Sequence, residues 1–342
     1  MTSAPQRQAD DLREALRLAV HATSEVTSIV EAMHFRIASG AAILGRPLAV
    51  PARIITKIAY GNVRFVANLV GKIGDRALRE LAPLLGESVS GPERDAVVAV
   101  LNGVLGDWLE RTGSPLALDL RLRVEGSGQK AVVLVHGSSM TDRQWRRRGH
   151  DHGEALARDL GWVPVYACYN SGLRIAENGR RLAERLDELG EFGEVALLGH
   201  SMGGLVARSA CHAAELEGRA WRKKLRFLVT LGTPHHGAPL ERYGGLLEAL
   251  LPISSYSAPL AHLGRVRSAG ITGMRHGLDL ALPEGVECHA IAAGKDWLVP
   301  VASAHGAFPP ASCSIVPGAS HLDLLSSLDA YETIRRALSS VC

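Results

Sequence analysis

Val195-Ala-Leu-Leu-Gly-His-Ser-Met-Gly-Gly204 is the stretch whose reading decides the fold. Four apolar residues, Val195 to Leu198, read as a buried strand, and the small residues after them permit a sharp turn into a helix beginning near Leu205. Ser201 falls at the tip of that turn. Gly199 and Gly203 flank it at two-residue spacing, where a side chain would collide with neighbouring backbone in a strand-to-helix elbow. The turn lifts a hydroxyl to the head of a helix, where the dipole and free N–H groups favour the negative charge of acyl transfer. Gly-x-Ser-x-Gly also arises by chance in a chain with 36 glycines, so the reading requires companions: an oxyanion loop upstream, then an acid and a histidine downstream, in that order.

The chain has 342 residues, which suggests about two domains and a large core. It is 46% hydrophobic, 21% charged and 5% aromatic, the profile of a folded protein rather than a disordered one. A net charge of +3 is too small to make nucleic acid the main partner. Cys168, Cys211, Cys288, Cys313 and Cys342 are widely spaced with no Cys-x-x-Cys pair, so neither a disulfide framework nor a zinc site is expected. The first eleven residues turn acidic where a secretory peptide needs an apolar run, and the longest uncharged near-miss for a spanning helix, Ile37 to Val50, is broken by Arg46 and Pro47. A cytoplasmic location is therefore expected.

Residues 1–115 read as a helical region punctuated by Gly and Pro. Within it, residues 52–81 carry an apolar stripe (Ile55, Ile58, Val63, Val66, Val70, Ile73) opposite Lys57, Arg64 and Lys72. Between Arg36 and Arg79 there are eight basic residues against one acid, Asp75. One reading is a face laid peripherally on an anionic lipid surface; the other, the commoner use of such a stripe, is packing on the rest of the protein.

From residue 116 the texture changes to strands alternating with helices, which predicts an α/β domain over 116–342 with a mainly parallel sheet covered on both faces. Leu116 to Glu125 alternates apolar and charged residues as a half-exposed edge strand does. Buried strands are expected at 131–135, 163–168, 195–198, 225–231, 287–292 and 314–316, and helices at 153–160, 175–189, 205–216 and 322–338.

The required companions lie at strand ends. His136-Gly137-Ser138 closes the first core strand, so the backbone N–H of Ser138 can converge with that of Met202 as an oxyanion hole, each donor worth on the order of 3 kcal/mol. His136 is read as a structural brace. Asp296 follows a strand and a glycine turn, and His321 lies on the loop before the last helix. His321 would take the Ser201 proton and Asp296 would fix its tautomer. Competitors are His289, His305, Asp279 and Glu284, none of which pairs a strand end with a following helix, while Asp323 is read as a helix cap. His235-His236 invites a metal reading, but no further ligands accompany the pair. Arg143, Arg146, Arg147 and Arg148 read as a solvated loop face with a few ion pairs, or else as an attractor for acidic substrates.

Gly199-His-Ser-Met-Gly-Gly204, His136-Gly137, Leu231-Gly-Thr-Pro-His-His-Gly237 and Gly294-Lys-Asp-Trp-Leu-Val-Pro300 together resemble the α/β-hydrolase lipases and esterases, in particular bacterial triacylglycerol lipases and GPI inositol-deacylase-like proteins. The resemblance covers about residues 116–342. It implies an eight-stranded-type sheet, a serine acyl-enzyme, no metal or other cofactor, and a cap or lid at 238–282 shaping an apolar acyl pocket for a small-molecule or lipid ester. Two alternatives stay open. One is an acyltransferase or polyester depolymerase using the same triad; the other is a lipid-surface scaffold acting through the N-terminal helices.

Overall fold

The computed structural model describes residues 92–190, 192–238 and 268–339, all within a compact unit that begins at Gly91. The stripe at 52–81 lies outside the described residues, as does most of the expected cap, 239–267.

Among the described residues seven strands form one sheet: β1 (Arg121–Val124), β2 (Lys130–Val135), β3 (Val163–Cys168), β4 (Glu194–His200), β5 (Leu225–Leu231), β6 (Glu287–Ala293) and β7 (Cys313–Val316), ordered β1-β3-β2-β4-β5-β6-β7. All pairs are parallel except β1 with β3, so β1 is the antiparallel edge strand. The helices are α1 (Pro92–Arg111), α2 (His152–Leu160), α3 (Ile175–Asp187), α4 (Met202–Leu216), α5 (Ala269–Met274), α6 (Val301–His305) and α7 (Leu328–Ser339). Every residue of β3 is buried, and in β2 and β4 only the first escapes, as expected of parallel strands covered on both faces.

Strand order reverses at β2, whose neighbours are β3 on one side and β4 on the other. The crevice between the carboxyl ends of β2 and β4 is thus a topological switch point, where ligands of open parallel sheets bind. His136 to Ser138 and Ser201 both emerge there.

Several boundaries differ from the sequence reading, the helix expected from 205 already beginning at Met202, and three of the differences have an identifiable cause. The edge strand shrinks to Arg121–Val124 because Asn102 of α1 ties down the chain before it: its Nδ2 donates to Leu116 O (2.7 Å) and its Oδ1 accepts from Leu118 N–H (2.9 Å). Helix α1, expected in the separate N-terminal region 1–115, is therefore part of the unit that holds the sheet. The last helix starts at Leu328 rather than 322, beyond Ser327, whose Oγ accepts from Ala330 N–H. Asp323 does not cap it; its carboxylate takes Ser320 N–H and Oγ–H at 3.0 and 2.6 Å and pairs with Arg148 at 2.7 Å.

Candidate active site

At the end of β4 the chain turns directly into α4, one residue past Ser201. Ser201 has φ 54° and ψ −126°, a sparsely populated region for a residue with a Cβ. Its N–H donates to Leu231 O at 2.8 Å and it is nearly buried. The close approaches demand small residues: a β-carbon on Gly199 would lie 2.5 Å from the backbone of Gly204, and one on Gly203 2.1 Å from Val135 O. The first turn of α4 therefore presses on the end of β2, beside the loop that carries Ser138.

That loop is braced by His136. Tyr169 N–H donates to its Nε2 (3.3 Å), which leaves Nδ1–H to donate to Gly137 O (2.8 Å), and the Tyr169 ring stacks on it at 4.2 Å. Tyr169 O–H also donates to His136 O at 2.7 Å. Burial pushes the His136 pKa down to about 4, so the ring is a neutral brace rather than a proton carrier. A β-carbon on Gly137 would lie 3.1 Å from Ser201 Cβ, which shows how closely the loop and the elbow meet.

His321, on the loop between β7 and α7, is 1% exposed. Its Nδ1–H donates to Asp296 Oδ2 at 2.7 Å, with both side chains out of solvent. The other carboxylate oxygen, Oδ1, accepts from Leu298 and Val299 N–H at 2.8 and 2.9 Å, so Asp296 can only be an acceptor towards the imidazole. That fixes the His321 tautomer and leaves its lone pair on Nε2, which is buried and has no hydrogen-bond partner among the described residues. So oriented, the ring offers Nε2 as the atom that can accept a proton.

Three contacts that the sequence did not disclose hold the His321 loop. His200 Nε2–H donates to His321 O at 3.0 Å, and His152 Nε2–H donates to Leu324 O at 2.8 Å. Asp323, as described, joins Ser320 to Arg148. Only the immediate neighbourhood of Ser201 hinted at any of this, through the histidine preceding it. Ser139, Arg148 and Ser201 are the non-glycine residues with positive φ among those described, and each belongs to this site or its supports.

The competitors sit elsewhere. His289 lies in β6 beside Glu287, and His305 in α6 reaches Ser314 O at 3.2 Å. His235 is buried: Arg208 donates to its Nδ1 at 3.0 Å, so its Nε2–H faces Thr230 Oγ1 at 3.2 Å. No group of His, Cys, Asp and Glu among the described residues is arranged to hold a metal ion. Of the arginines, Arg143 pairs with Asp95 at 2.7 Å, Arg146 with Glu154, and Arg148 with Asp323.

The buried histidines make a prediction about acid. His136 and His152 are held down to about 4, and His235 to about 3, by burial in each case. Folded, these rings stay neutral; unfolded, they take up protons near pH 6.5, so between 6.5 and 4 the unfolded chain binds more protons. Their contribution is complete above 6.5 and is lost as pH falls towards 4, on the order of 2 kcal/mol each at pH 5. Thermal melts should show a steep fall in Tm between pH 6.5 and 5, and a flat Tm over that window would contradict the buried neutral assignment.

Residues 184–280 match the family model described as PGAP1-like alpha/beta domain. The matched segment contains the elbow and β5 and stops short of Asp296 and His321. No curated protein matches the chain. Among solved structures, the mature form of the Bacillus licheniformis lipase BlEst2 aligns at 16% identity over 64% of this chain and 96% of its own, with a TM-score of 0.46. The type II thioesterase BorB from the borrelidin biosynthetic cluster aligns at 18% over 64% of this chain and 97% of its own, TM-score 0.46. A marine microorganism esterase aligns at 14% over 66% of this chain and all of its own, TM-score 0.44. The mainly parallel sheet with its reversal at β2 and the strand-to-helix elbow at Ser201 give the chain a fold of the α/β-hydrolase type, and its 184–280 segment is similar to the PGAP1-like alpha/beta domain.

Proposed function

We propose that the protein is a serine hydrolase that cleaves carboxylic esters through an acyl-enzyme, with Ser201 as nucleophile, His321 as general base and acid, and Asp296 as the carboxylate that orients the imidazole. The observation that carries this reading is the His321–Asp296 pair at 2.7 Å, buried, with the imidazole lone pair at Nε2 unpartnered among the described residues. Ser201 Oγ attacks the ester carbonyl while its proton passes to His321 Nε2. The oxyanion is received by the N–H groups of Ser138 and Met202; the alcohol leaves with the proton returned from Nε2; water, deprotonated by the same nitrogen, then releases the acid. Apolar acyl groups fit the expectation of an apolar pocket beside the 238–282 stretch.

A fluorophosphonate probe should label the folded protein at Ser201, and p-nitrophenyl acyl esters should be hydrolysed with no loss of rate in EDTA. An intact, folded sample that takes up no label would end the proposal.

A further inference from the structure

Helix α1 carries no part of the proposed triad, yet it touches the loop that bears Ser138. A β-carbon built on Gly103 would lie 1.9 Å from Ser139 Oγ and 2.8 Å from Ser139 Cα, so the side chain and Cα of Ser139 occupy the space that a side chain at 103 would need. Three residues on, the same holds of Gly106 and the loop after β3: a β-carbon there would lie 1.8 Å from Asn170 Oδ1 and 3.0 Å from Gly172 Cα. Asn170 Nδ2 donates to Gly106 O at 2.9 Å. Ser171, between them, accepts Ser139 N–H on its Oγ at 2.9 Å. Helix α1 thus grips Ser139 twice, directly through Gly103 and through the 170–172 loop that Gly106 holds.

Ser139 has φ 60°, a conformation a residue with a side chain keeps only where its surroundings impose it. On the other side of Ser138, Gly137 abuts Ser201. Ser138 is suspended between the elbow and α1. Glycines are poor helix formers, and two of them three residues apart inside α1 make sense as the surface that allows this approach.

We propose that α1 is the backstop of the oxyanion loop and that Gly103 is a positioning residue, which through Ser139 sets where the Ser138 N–H points. The inference rests on the serine-hydrolase reading above. An alanine at 103 must displace either the helix or Ser139. A misplaced donor weakens binding of the tetrahedral oxyanion more than binding of the ground-state carbonyl, so the loss falls on kcat and leaves KM in place.

The test uses the full chain, with Gly103→Ala and Ser171→Ala assayed on p-nitrophenyl butyrate, and with a trifluoromethyl ketone as reversible transition-state analogue. Gly103→Ala is expected to lower kcat by about 30-fold or more with KM changed less than about threefold, and to weaken the ketone by a similar factor. Ser171→Ala, a milder change, should move kcat and the ketone in the same direction by about three- to tenfold. Folding is checked by a cooperative melt. A folded Gly103→Ala protein with kcat within about twofold of wild type overturns the inference, as does a rise in KM at constant kcat, which would make α1 a substrate wall. Where Gly103→Ala does not fold, an unchanged kcat in Ser171→Ala overturns it instead. Wild type that resists fluorophosphonate labelling at Ser201 overturns the hydrolase reading itself, whereas labelled wild type with unaffected variants overturns only the role of α1.

Discussion

Ser201→Ala is expected to lower kcat on a p-nitrophenyl ester by about 10⁵- to 10⁶-fold, the largest effect of any single substitution in this protein. Ser201 stands at a strained turn imposed by the tight elbow packing, at the head of a 15-residue helix and against Gly137 of the neighbouring loop. Removing its hydroxyl removes the atom that would bond to the acyl carbon, while the fold loses one oxygen at the tip of the elbow. Stability should stay within about 0.5 kcal/mol of wild type, and KM should change little. A residual rate of about 10³-fold over water should remain, from the backbone donors and from binding alone. Steady-state kinetics alongside a thermal melt decide the matter. A folded variant that keeps more than about a hundredth of wild-type activity would move the nucleophile elsewhere.

Asp296→Asn should be the second largest change, about 10⁴-fold in kcat. The replacement is isosteric, and its amide oxygen can keep the bonds that Oδ1 now accepts from Leu298 and Val299 N–H. In that orientation its NH₂ faces Nδ1 of His321, where an acceptor stood. A donor there drives the imidazole proton to Nε2, and the lone pair that should receive the Ser201 proton is gone. The loss would come from the wrong tautomer in a nearly unchanged structure, so the rate of fluorophosphonate labelling should fall together with kcat while the melt is preserved. A loss below about tenfold would show that another group orients His321.

Much of the architecture could be read from the chain because parallel strands buried on both faces leave unmistakable apolar runs. Val195 to Leu198 and Val163 to Cys168 are strands in the structure as in the sequence. Asp296 and His321 were legible as candidates because each follows a strand, at the end where a sheet of this kind collects its polar residues, although the strand before His321, expected to be buried, is largely unburied, with Ile315 turned to solvent; the structure brings the two side chains together. Their supports were not legible. That His200 reaches the His321 carbonyl, and that His152 reaches Leu324 O, depends on elements over a hundred residues apart meeting in space. Asp323 resembles a cap locally, but its carboxylate is taken by Ser320 and by the ion pair to Arg148, 175 positions away. Gly103 and Gly106 carried no signal of their own in the sequence, because what fills the space they leave is known only with the oxyanion loop in place.

The anchoring of the His321 loop has a consequence for how such a protein can diversify. The bonds described from His200, from His152 and from Arg148 to Asp323 come from β4, from α2 and from the turn before α2, all of them joined to the central sheet or packed on it. None of them involves the stretch 239–267. A graft that lengthens, shortens or replaces that stretch would leave the base tethered by these three bonds. On the proposed hydrolase reading, acyl selectivity could then be exchanged as a module, with His321 and Asp296 kept in place.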